Sequence, residues 1–61
     1  MKMIRSRFNV SYTIESYDGA KWEDEYRFNL LDEAEQELEK MKKSQPNKKF
    51  RLIRSEWEVI G

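Results

Sequence analysis

Between Ile4 and Ile14 the even positions are Ile4, Ser6, Phe8, Val10, Tyr12 and Ile14, and the odd positions are Arg5, Arg7, Asn9, Ser11 and Thr13. This is period-two alternation, which a helix of 3.6 residues per turn cannot convert into one apolar face. The segment therefore reads as a strand with one buried side. Tyr17-Asp18-Gly19-Ala20 supplies turn chemistry. A second alternating run follows, with Trp22, Tyr26 and Phe28 even and Lys21, Glu23, Glu25 and Arg27 odd.

Matching the phases of the two runs predicts a three-residue loop, Tyr17-Asp18-Gly19. A two-residue Asp-Gly loop would set every even residue opposite an odd one and mix the faces. The three-residue loop pairs Ile14 with Trp22, Val10 with Tyr26 and Phe8 with Phe28, and gives Gly19 the left-handed conformation. In that register Asp24 falls on the apolar face, opposite Tyr12.

Helical spacing takes over after Phe28. Leu30, Leu31, Ala34, Leu38 and Met41 form one apolar stripe, Asn29 is the expected cap, and the helix is predicted over 30–43. Acids crowd its first half and bases its end, which suits the helix dipole. Pro46 fixes the following loop. A last strand is predicted over 49–60, where Phe50 and Leu52 share one face but Ile53, Trp57 and Val59 share the other. Either a bulge near Leu52–Ile53 restores a single face, or Trp57 and Val59 lie on the side away from the helix.

These elements predict an α+β fold of ββαβ order in a single domain, 1–61. It has a three-stranded antiparallel sheet in the order 2-1-3 and one helix on one face, since a right-handed crossover brings the last strand beside the first. The expected core is Phe8, Val10, Tyr12, Ile14, Trp22, Tyr26, Phe28, Leu30, Ala34, Leu38, Met41, Phe50 and Leu52.

Composition narrows the chemistry. The 61 residues include no Cys and no His, so disulfide staples, thiolate and imidazole metal ligands and the usual proton shuttle are absent. No phosphate cradle, dinucleotide fingerprint or nucleophile with a base is present. The expectation is a protein without catalysis, cofactor or metal. Missing cysteines point to a cytoplasmic protein, and no apolar run reaches ten residues, which predicts neither a membrane span nor a secretion signal.

The formal charge is zero but unevenly spread. Residues 1–14 carry Lys2, Arg5 and Arg7. Residues 15–39 hold ten acids against Lys21 and Arg27, and residues 40–61 hold seven bases against Glu56 and Glu58. Three candidate surfaces follow. Glu23, Asp24, Glu25, Asp32, Glu33, Glu35 and Glu37 could steer a basic protein partner; the bland alternative is a charged edge that blocks aggregation. Lys42, Lys43, Lys48, Lys49, Arg51 and Arg54, with Phe50 among them, could contact nucleic acid. Trp57, Val59 and Ile53 could anchor self-association, because a domain this small without staples often oligomerises.

The opening strand, the hairpin, the segment Phe28-Asn29-Leu30-Leu31-Asp32-Glu33-Ala34 and the return Pro46-Asn47-Lys48-Lys49-Phe50-Arg51-Leu52-Ile53 together resemble a loose class of short bacteriophage and prophage proteins. The likeness spans residues 4–60. It implies a small accessory protein that binds a host protein in a bacterial cytoplasm, and it brings no active site. The two functional readings are thus a protein-binding module, expected to be a homodimer, and a nucleic-acid binder using the basic last third.

Overall fold

A computed structural model describes residues 6–60, with side chains from Phe8 onward. The elements run β1 (Ser6–Tyr17), β2 (Trp22–Phe28), α1 (Leu31–Ser44) and β3 (Lys49–Ile60). The sheet order is β2-β1-β3 and both pairings are antiparallel. The α+β, ββαβ architecture expected from the periodicities is therefore the observed one. Ile4, which opens the alternating run, lies outside the described residues.

The first hairpin reaches this topology differently from the phase argument. Its loop is Asp18–Lys21, with Gly19 in the left-handed region at φ 99°. The Asp18 carboxylate accepts from the backbone N–H of Ala20 and of Lys21, both at 2.8 Å, and the Asp18 N–H donates to the Lys21 carbonyl. Tyr17 then faces Trp22 and Glu15 faces Asp24, a register that opposes odd to even. The shift between Ile14 and Glu15 repairs the parity: Glu25 is the extra residue, and beyond it Ile14 faces Tyr26 and Tyr12 faces Phe28. A β-bulge thus does what the three-residue loop was expected to do. The expected pairs Ile14–Trp22, Val10–Tyr26 and Phe8–Phe28 are all replaced.

The helix begins one residue late. Leu30, in extended conformation, is its N-cap and makes no side-chain capping bond, so Asn29 is not the cap. Ala34 and Met41 are its buried residues. They cover the side of the sheet on which Ile14 is 0% exposed and Ser16 is buried. β3 pairs with β1 without interruption from Tyr17–Lys49 to Ser6–Ile60. No bulge interrupts Leu52–Ile53, and the slip in alternation is real: Phe50 and Leu52 face the helix side, Ile53, Trp57 and Val59 the other.

The molecule is long, measuring 57 × 25 × 10 Å. Twelve strand residues at about 3.4 Å each reach roughly 40 Å, whereas fourteen helical residues at about 1.5 Å reach roughly 21 Å. The helix therefore roofs only half of β1 and β3. β2 also stops at Phe28, opposite Tyr12. Beyond it, Ser6–Ser11 and Ser55–Ile60 continue as a two-stranded arm.

This geometry thins the core. Among the described apolar residues only Ile14, Ala34 and Met41 are buried. Of the other expected core residues, Phe8, Tyr26 and Leu30 are exposed, because the arm and the β2 edge lie beyond the helix. Val10, Tyr12, Phe28, Leu38, Phe50 and Leu52 are half-buried. Trp22 is half-buried on the wrong side, carried to the open face by the bulge.

Candidate interaction surface

The face turned away from the helix carries the odd residues of β1, the odd residues of β3, and Trp22, Asp24 and Arg27 of β2. At the hairpin end the Tyr17 and Trp22 rings lie 5.3 Å apart and tilted. The Arg51 guanidinium sits 4.1 Å over the Trp22 ring, and the Lys49 ammonium 5.9 Å over the Tyr17 ring. Arg51 Nε also donates to a Glu15 carboxylate oxygen at 2.5 Å, which helps hold the guanidinium over the indole. Cation, ring and carboxylate contact one another there and form a polar–aromatic platform. Further along the same face come Ile53 opposite Thr13, Trp57 opposite Asn9 and Val59 opposite Arg7. Trp57 is 46% exposed, and Ile53 and Val59 are half-buried. The three proposed anchors therefore share one open face with two further aromatic rings.

The platform was not visible in the sequence as such, because Trp22 reads as core by simple alternation. Glu15 and Arg51, which face each other in the sheet, would have been its only signal.

The acidic candidates are dispersed. Glu23 pairs with Ser16 on the helix side, Asp24 pairs with Glu15 on the open face, and Glu25 occupies the bulge. Glu25 accepts from the Ser16 hydroxyl at 2.5 Å and lies 3.7 Å from Lys48. Lys21 approaches Glu23 at 3.9 Å. Asp32, Glu33 and Glu35 are exposed on the helix and Glu37 is half-buried. The fold does not gather these seven carboxylates into one surface.

The basic candidates divide likewise. Lys42 and Lys43 end the helix, Lys48 belongs to the following turn, Lys49 and Arg51 lie on the open face, and Arg54 lies on the helix side opposite Tyr12. Four of the six have a carboxylate neighbour: Lys43 with Glu39, Lys48 with Glu25, Arg51 with Glu15 and Arg54 with Glu56. The hydrogen bond with Glu56, then that with Tyr12, raises the affinity of Arg54 for its proton.

Depressions mark the surface among the described residues, and two of them are informative. The larger, of about 590 Å³, lies between the hairpin tip and the turn after the helix, bordered by Tyr17, Gly19, Pro46 and Lys49. The smaller, of about 300 Å³, is bordered by Thr13, Asp24, Tyr26 and Arg27. Among the described residues no three carboxylates converge as a metal site would require. No described helix is long and apolar enough to cross a membrane. Comparison with protein-family models, with characterised proteins and with solved structures gives no match.

Proposed function

We propose that this protein is a non-enzymatic protein-binding module, acting as a homodimer, whose open sheet face is the binding surface. The observation that carries this reading is the array Tyr17, Trp22, Ile53, Trp57 and Val59 on a face that no other element covers among the described residues. A two-layer α+β domain has no need of apolar side chains on its solvent side, and aromatic side chains beside arginine are the usual anchors of protein interfaces. The resemblance to short phage proteins supports a host protein as the partner, met in a bacterial cytoplasm. The dispersed carboxylates give less support to an acidic docking surface.

The test is retention of a partner from a bacterial lysate by wild type and by Trp57→Glu. The variant should lose the partner while keeping its urea midpoint, because Trp57 is half-exposed and away from the core. A Trp57→Glu protein that still retains the partner would overturn the assignment of this face.

One observation favours nucleic acid as a second reading. Lys49 and Arg51 stand beside two rings on a single sheet face, a pattern suited to stacking bases. Against it, Arg51 is already neutralised by Glu15. A gel shift with single-stranded oligonucleotide decides: binding at low salt that vanishes at high salt supports it, and no shift at low salt removes it.

A further inference from the structure

We propose that two copies of the protein join arm to arm, the Arg7–Ser11 segment of β1 pairing antiparallel with the same segment of a second copy. The proposal rests on the homodimer reading above but places the contact on the open edge of β1, one strand away from Trp57, which faces Asn9.

Among the described residues the sheet has three lengths of unpaired strand edge, and they differ in chemistry. The outer edge of β2 carries Glu23, Asp24, Glu25 and Arg27, and it is bent by the bulge. The outer edge of β3 carries Lys49, Arg51, Arg54, Glu56 and Glu58. Charges and bulges are the ordinary devices that stop an edge from accepting another strand. The third length is Ser6–Ser11 of β1, on the side where β2 has ended. Arg7 is its one charged residue. Two edges are guarded and one is not.

The vacant place also has the right size. β2 ends with Phe28 opposite Tyr12, so among the described residues the open edge beside β1 runs from Ser11 back to Ser6 and admits a second strand over Arg7–Ser11. A two-fold axis perpendicular to the sheet puts each arm in the other's gap, in line with the partner's β2. Faces stay matched only when paired residue numbers sum to an even value. A register centred on Asn9 satisfies this, with Asn9 opposite Asn9 and Phe8 opposite Val10 of the second copy. Phe8 is 63% exposed in the single chain, and an aromatic beside a β-branched residue is a favourable cross-strand pair.

Apolar exposure points the same way. Among the described residues, the exposed large apolar side chains are Phe8, Tyr26, Leu30, Leu31, Trp57 and Ile60. All but Trp57 belong to the helix side or to the start of the helix. Arm pairing brings two sets of Phe8, Val10, Leu30 and Leu31 together on one side of a continuous sheet, between two helix N-termini. Glu56 and Glu58 remain on the far strand of each arm, out of each other's reach.

Sedimentation equilibrium over a wide concentration range tests the association, expected to be weak because the contact is small. Phe8→Glu should weaken it at least about tenfold, the effect of roughly 1.4 kcal/mol, whereas Trp57→Glu, one strand removed from the contact, should weaken it less. The chain has no native cysteine, so Asn9→Cys adds a geometric test. Under mild oxidation it should cross-link to a dimer far faster than Glu58→Cys. A wild type that stays monomeric throughout, or a dimer lost with Trp57→Glu and kept with Phe8→Glu, overturns the proposal. Partner retention by the Phe8→Glu protein is read separately, so failure of the arm contact does not count against the open face.

Discussion

Deleting Glu25 should leave every other pair of the first hairpin in place. A deletion inside a strand normally turns all later side chains to the opposite face. Here Glu25 is the unpaired extra residue, and its removal joins the Glu15–Asp24 pair directly to the Ile14–Tyr26 pair. The cost is confined to what the side chain does. Ser16 is 1% exposed and loses its acceptor, worth about 1–3 kcal/mol for a hydrogen bond to a charged group or a stranded buried hydroxyl. The ion pair with Lys48, about one third exposed, adds about 0.2–1 kcal/mol. Against a total stability of roughly 3–9 kcal/mol for a chain of this length, the variant should remain folded but visibly weakened. Glu25→Ala removes the same contacts and keeps the bulge, so the two variants should have similar urea midpoints. Contacts of Tyr26 with Ile14 and of Phe28 with Tyr12, read by NMR, should persist in both. A deletion variant that unfolds while Glu25→Ala folds would refute the bulge as the device that sets register.

Ile14→Ala should cost about 2–5 kcal/mol in a urea melt, because Ile14 is the largest fully buried side chain among the described residues and its truncation leaves a cavity; a loss under 1 kcal/mol would contradict the packing. Gly19→Ala should destabilise by about 1 kcal/mol through backbone strain alone, since a Cβ there meets nothing but φ is 99°; a neutral melt would mean that the loop adopts another conformation. The Asp18 carboxyl is held below the usual carboxylate range, first by the Lys21 N–H and then by the Ala20 N–H. A lowered folded value adds stability above the unfolded pKa and loses it as the pH falls from about 4 through the folded value. The amide resonances of Ala20 and Lys21 should therefore titrate together in that acid range, and an Asp18 titrating at an ordinary value would remove the turn as the cause.

Element order and the bounds of the last strand were legible because they rest on periodicity, which a single chain displays openly, and sheet order because a right-handed crossover fixes it; the first strand, whose alternation is clean only to Ile14, in fact continues to Tyr17. The alternation of Ile4–Ile14 marked the central strand, and the opposed phases of Leu52 and Ile53 left two alternatives, a bulge or apolar side chains on both faces, between which the unbroken pairing of β3 decides for the second. The hairpin register was not legible. A bulge at Glu25 leaves no trace in composition, since Glu23, Asp24 and Glu25 are interchangeable acids, and its effect is to move Trp22 from one face to the other. The core was overestimated for a related reason. Alternation shows which residues share a side and not which of them the helix covers, although the expected lengths, fourteen helical residues against a twelve-residue last strand, already implied the mismatch. Phe8 therefore has the right face and no cover. The cation–ring platform followed from the same bulge and was hidden with it.

The arm changes how this protein moves through water. A compact chain of its length has a radius of gyration of about 10–11 Å, whereas this one measures 15.5 Å. Drag follows the longest dimension more than the mass, so a single copy travels through a porous matrix like a considerably heavier sphere. Two copies overlapping at their arms would form a rod nearly twice as long, with slower tumbling and broad resonances. Apparent size from retention alone would thus mistake one copy for two, and only methods that weigh the particle can count the chains.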